Sequence, residues 1–71
     1  MVEMRYVQSS SVDQIGYDEE RNELHMVFKD SSTVYVYLNV PPHVYEALRD
    51  APSMGSYFNR EIKNAYEFVK R

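Results

Sequence analysis

The apolar positions change their period at Pro41-Pro42: before this pair they alternate, and after it they recur at three and four. Val12 to Tyr17 is a predicted strand with Ile15 and Tyr17 on one face. Glu23 to Lys29 is a second, setting Leu24, Met26 and Phe28 against His25, Val27 and Lys29. Between them lies the polar turn Asp18-Glu19-Glu20-Arg21-Asn22, in which Asn22 can take a left-handed conformation. Asp30-Ser31-Ser32 then turns the chain into Thr33 to Val40, a third strand with two apolar faces, Tyr35 and Tyr37 on one and Val34, Val36 and Leu38 on the other. Met1 to Gln8 has no clear period, so residues 1–8 are a flexible or edge-lying segment, with Met4, Tyr6 and Val7 candidates for the sheet edge.

Which face of the third strand is the core depends on the parity of the second turn, because a one-residue slip exchanges the faces. An even loop centred between Ser31 and Ser32 pairs Phe28 with Tyr35 and Met26 with Tyr37. A three-residue loop pairs Phe28 with Val34 and Met26 with Val36. With Tyr17 opposite Leu24, the even loop gathers Ile15, Tyr17, Leu24, Met26, Phe28, Tyr35 and Tyr37 on one side and is preferred, since it leaves less aromatic surface wet.

Pro41-Pro42 ends strand pairing and pre-sets a first helical turn. A helix over Pro42 to Asp50 carries Val44, Tyr45 and Leu48 as one stripe, and Pro52 stops it. Ser53 is a natural N-cap for a last helix, expected over Met54 to Lys70, with Met54, Phe58, Ile62, Ala65 and Val69 on its apolar face. Gly55 in its first turn costs about 1 kcal/mol of helix propensity relative to alanine, and such a glycine lets another group come close. The expected fold is α+β: one domain spanning residues 1–71, a three-stranded antiparallel meander followed by two helices packed on one face.

Composition narrows the function classes. The 71 residues contain no cysteine, which excludes a disulfide framework and thiolate metal sites and fits a reduced, cytoplasmic location. No apolar run approaches the roughly 20 residues of a membrane span, and no signal peptide is evident, so a soluble, unprocessed chain without membrane contact is expected. The net charge of −3 disfavours indiscriminate nucleic-acid binding. That charge is uneven: up to Ser53 four basic residues face nine acidic ones, whereas Arg60, Lys63, Lys70 and Arg71 outnumber Glu61 and Glu67 beyond it.

Ser10-Ser11-Val12, Ile15-Gly16-Tyr17-Asp18, Leu24-x-Met26-x-Phe28, Tyr35-x-Tyr37 with Val40-Pro41, Tyr45, and Ala51-x-Ser53-x-Gly55-x-Tyr57-Phe58-Asn59-x-x-Ile62 closely resemble the KTSC domain. The resemblance covers nearly everything from Ser9 to Tyr66. It implies a small bacterial or phage domain, either stand-alone or appended to the C-terminus of a lysyl-tRNA synthetase. No function is established for that family, and RNA binding is suggested from the synthetase context. Members often carry a polar residue between the two tyrosines, which implies that the tyrosines face the core; Val36 departs from that pattern.

Two surfaces are candidate sites. The first is the basic stripe Arg60, Lys63, Lys70 and Arg71 on the polar side of the last helix, a contact for RNA that would be weak and salt-dependent, or else an ordinary solvated helix face. The second is the outer patch Val27, Val34, Val36 and Leu38, a surface for a protein partner or self-association on which Val36→Lys would leave the fold intact and disrupt assembly; alternatively the N-terminal segment, through Met4 or Tyr6, folds over it. Tyr35 and Tyr37 are accounted for by core packing, with a base-stacking platform as the alternative that lacks an interleaved basic residue. His25 and His43 sit on separate elements with no third ligand, and the acidic turn lacks calcium-loop spacing, so no metal or cofactor is expected. No nucleophile, phosphate cradle or small-molecule substrate site stands out, and the expected function is non-enzymatic.

Overall fold

The computed structural model describes residues 2–71. Among these, five strands form one sheet in sequence order, each antiparallel to the next. They are β1 (Arg5–Tyr6), β2 (Val12–Asp18), β3 (Glu23–Phe28), β4 (Val34–Tyr37) and β5 (Phe68–Lys70). Two helices intervene between β4 and β5: α1 (Pro42–Asp50) and α2 (Met54–Tyr57), the latter running on into a π-helical turn, Phe58–Ile62.

The three-stranded meander is therefore corrected to a five-stranded sheet, while the α+β class stands. The largest difference lies after Ile62, where a helix to Lys70 was expected. The chain turns at 63–66 and returns as β5. Ala65 and Val69, assigned to the apolar helical face, are exposed. A short run such as Tyr66-Glu67-Phe68-Val69-Lys70 is compatible with both periods, and its aromatic and β-branched residues suit a strand. The open edge of β4 decides between them. Val34 N–H donates to Arg71 O (3.2 Å), Arg71 N–H to Val34 O (2.8 Å) and Leu38 N–H to Glu67 O (2.8 Å), satisfying backbone groups that a helical tail would have left unpaired.

The β3–β4 register preserves the preferred faces at a different offset. Met26 lies opposite Tyr35 and Leu24 opposite Tyr37, so the even turn is centred between Asp30 and Ser31, one position earlier than expected. A shift of two residues keeps every side chain on its face. Tyr17 pairs with Leu24 as expected, and Asn22 takes φ 55° in the intervening turn. A bulge between Val12 and Gln14 interrupts the β2–β3 ladder, so that Val12 and Ile15, three apart, are both fully buried on the core side.

Helix α1 matches its expected span and has Pro42 in its first turn. Val44 and Leu48 are its buried residues, and Ala51, held extended before Pro52, ends it. Ser53 caps α2 by accepting from the N–H of Ser56. Lys63 N–H donates to Phe58 O (2.9 Å), the bond that closes the π turn, in which Phe58 and Ile62 are buried. Val12, Ile15, Leu24, Met26, Tyr37, Val40, Leu48, Met54, Phe58 and Ile62 belong to one core between the sheet and the helices. Tyr17 spans its edge, stacking on Tyr45 at 5.0 Å between centroids and donating its hydroxyl to Val40 O.

The outer sheet face is covered as well. Val36 is fully buried, Val27 is 7% exposed, and Val34 and Leu38 are half-buried. The expected open patch is therefore not open. The segment Val2 to Met4 lies across this face: a Cβ added at Gly16 would sit 2.7 Å from Met4 Sδ, 2.8 Å from Val2 Cγ1 and 2.9 Å from Glu3 O. Gly16 is thus where the chain crosses its own sheet at backbone contact distance. Tyr6, the other residue considered as a cover, is 78% exposed.

Candidate nucleic-acid interface

The four basic residues do not form one stripe, because the helix that would have aligned them ends at Ile62. Arg60 lies in the π turn, paired with Glu61 Oε2 (3.0 Å) and stacked over Tyr57 (5.7 Å), beside the groove between α1 and α2. Arg71 follows β5, its guanidinium 4.0 Å from Glu23 Oε1 on the outer side of the sheet. Lys63 instead lines a cleft on the core side, where the sheet's last two strands meet the π turn, and Lys70 stands beside it over the ring of Tyr35.

The cleft follows from the register. Tyr37 pairs with Phe68 and Tyr35 with Lys70, and side chains paired across adjacent strands share a face. Phe68 packs on Tyr35 (centroids 5.5 Å apart) and Tyr37 (5.3 Å), Phe28 meets Tyr35 edge-on (5.5 Å), and Phe58 meets both Phe28 (5.2 Å) and Tyr37 (5.4 Å) edge-on. These five rings line an open cavity of about 540 Å³, within the roughly 300–1,000 Å³ of ligand pockets. Its polar walls are Lys63, Asn59 and Asn64 on the helical side and Asp30 and Ser31 from the β3–β4 turn. Lys70 Nζ stands 5.6 Å above the Tyr35 ring, a cation–π contact that holds a positive charge beside the aromatic floor.

The rings are not equivalent. Tyr37 and Phe58 belong to the core, and burial raises the Tyr37 phenol above its ordinary value, with Tyr35 adding a smaller push. Tyr35 and Phe28 are half-buried. Phe68 is 45% exposed and is the open face of the cleft. The sequence reading gives it no role, although Phe68-x-Lys70 has the same period of two as Tyr35-x-Tyr37. At the far end, Ser11 Oγ would lie 2.6 Å from a Cβ at Gly55, so that glycine allows the close approach that its sequence position suggested.

A second concavity, of about 740 Å³, lies on the outer face and is lined by Asp18, Glu19, Glu20, Glu23, His25 and Arg71 among others. Its acidic lining opposes phosphate. His25 is 8% exposed, and its Nε2 has no hydrogen-bond partner among the described residues; Glu23 Oε1 is 3.6 Å away. Burial holds the imidazole below its ordinary value, a tendency that the Glu23 carboxylate opposes. Among the described residues, no three His, Cys, Asp or Glu side chains are placed to hold a metal, and no helix is long and apolar enough to cross a membrane.

Residues 8–66 match the family model of the KTSC domain. A crystal structure of a KTSC domain protein from Yersinia pestis superposes on the whole chain with a TM-score of 0.95, at 30% identity and covering 99% of that protein. A lysine–tRNA ligase of Nostoc punctiforme is 41% identical over 61 residues, 86% of this chain but only 11% of the ligase's own length. An uncharacterised protein of Stutzerimonas stutzeri is 44% identical over 57 residues, 80% of this chain and 79% of that protein. The fold, the aligned span and these relatives agree, and the chain belongs to the KTSC domain family.

Proposed function

We propose that this domain is an accessory RNA-binding module of the cytoplasm with no catalytic activity of its own, and that the aromatic cleft between β4, β5 and the π turn is its contact surface. The observation that carries this reading is a ring-lined cavity with Lys63 in its wall and Lys70 over Tyr35, one of its rings. Phosphate neutralisation beside exposed aromatic faces is the combination that single-strand RNA sites use. The interleaved basic residue that the Tyr35-x-Tyr37 motif lacks is supplied from the neighbouring strand by Lys70. The occurrence of similar segments in lysine–tRNA ligases supports RNA as the partner and the cytoplasm as the location. With Lys63 and Asp30 in the cleft wall and Lys70 over Tyr35, affinity is weak and steeply salt-dependent.

Fluorescence anisotropy of a labelled single-stranded RNA at low ionic strength tests this. The double variant Lys63→Glu/Lys70→Glu is expected to abolish binding, whereas Arg60→Glu, on a side chain engaged with Glu61 and Tyr57, weakens it less. In single neutral variants, each lost phosphate contact reduces the slope of log affinity against log salt by about 0.7. A wild type that binds no RNA at low salt, or a double variant that binds like wild type, overturns the reading.

A further inference from the structure

Resting on that reading, we infer that the cleft is a receptor for one unpaired nucleotide: its base stacks on Phe68, its edge hydrogen-bonds to the amides of Asn59 and Asn64, and its flanking phosphates pair with Lys63 and Lys70. Phe68 is the most open of the five rings, 45% exposed, while its packing on Tyr35 and Tyr37 fixes its orientation. A ring held in this way loses little freedom when a base lands on it. Phe68 and Lys70 lie two residues apart on the same face of β5, a separation of about 6.7 Å, so a base on the ring has its phosphate beside the ammonium.

The helical wall supplies a different chemistry. Asn59 and Asn64 are exposed residues lining the cleft opposite the sheet, and each amide offers both donors and an acceptor to a base edge. Lys63 lies between them in sequence, at the point where the helix ends. A base paired in a duplex presents neither a free face nor its Watson–Crick edge, so this arrangement selects single strands over duplexes.

The experiment compares a labelled eight-nucleotide single strand with a fully paired hairpin of the same composition, using the whole chain at low salt. The single strand is expected to bind at least tenfold more tightly. Phe68→Leu keeps an apolar side chain at the strand but removes the ring, and it is expected to cost about tenfold in single-strand affinity. Phe68→Trp retains the affinity, and circular dichroism verifies that both variants fold. Equal affinity for strand and hairpin overturns the inference, as does a folded Phe68→Leu that binds like wild type; in either case, binding lost in the Lys63→Glu/Lys70→Glu variant would leave a backbone-only RNA contact standing. Absence of all RNA binding overturns the proposed function along with it.

Discussion

The two faces of the sheet are both buried, but by different means and with different results. On the core face, helices α1 and α2 and the π turn cover Ile15, Leu24, Met26 and Tyr37, and this cover stops short of Tyr35 and Phe68. The rings left at its margin line the cleft with Lys63, and Lys70 stands over Tyr35. On the outer face no helix lies over Val27 and Val36; a strap from Val2 to Met4 crosses at Gly16, and β5 sets Val69 against Val36. The helical layer covers the larger core and, where it ends, leaves the cleft. The strap closes the surface that an ordinary two-layer domain leaves to water.

That contrast can be broken most severely at Val36. Placing lysine at a fully buried position opposite His25 and Val69 forces desolvation of an ammonium or distortion of β4, and Val36→Lys is expected to cost about 4 kcal/mol, enough to unfold much of a chain this small. The sequence pattern alone, with an open outer face, predicts instead that the substitution is tolerated. Urea denaturation measures it, and a native-like midpoint would show that the outer face is less closed than described.

A smaller change separates the strap from the sheet. Gly16→Ala brings a methyl within 3.0 Å of Met4, Val2 and the Glu3 carbonyl, so the strap must lift, at a cost of about 1–3 kcal/mol. Amide exchange at Arg5, next to the strap and paired with Ile15, is expected to accelerate while amides of α1 keep their relative protection. Uniform acceleration would instead mean that the strap and the core open as one unit.

The smallest effect is the pH dependence contributed by His25. Because burial lowers its folded pKa, the unfolded chain binds the extra proton first as pH falls. Its contribution is therefore fully present above the ordinary value of 6.5 and is lost as pH drops below it. His25→Leu is expected to flatten the thermal stability profile between about pH 6.5 and 5, a range above that in which carboxylates titrate. An unchanged slope in the variant would assign the loss to another group.

Much of the frame was legible because it is local chemistry. Asn22 at φ 55°, Tyr17 opposite Leu24, the span of α1 and the Ser53 cap follow from turn residues, alternation, proline and a hydroxyl. The candidate site was half legible. Lys63 and Lys70 were named for their charge, but on a helix that the chain does not form, and Phe68 was missed because its partners are Tyr35 and Tyr37, some thirty positions away.

The sequence by itself determined which side chains seek burial, where the chain turns and where α1 begins and ends, since these preferences act over one to four neighbouring residues. Only the tertiary structure decided that Phe68 to Lys70 is a strand, that residues 2–4 close the outer face and that five rings line one cavity with Lys63 in its wall and Lys70 over Tyr35. The physical reason is the same in each case: an unpaired sheet edge or an uncovered apolar face is a property of the assembled sheet, and the weakly patterned ends of the chain take whatever conformation satisfies it.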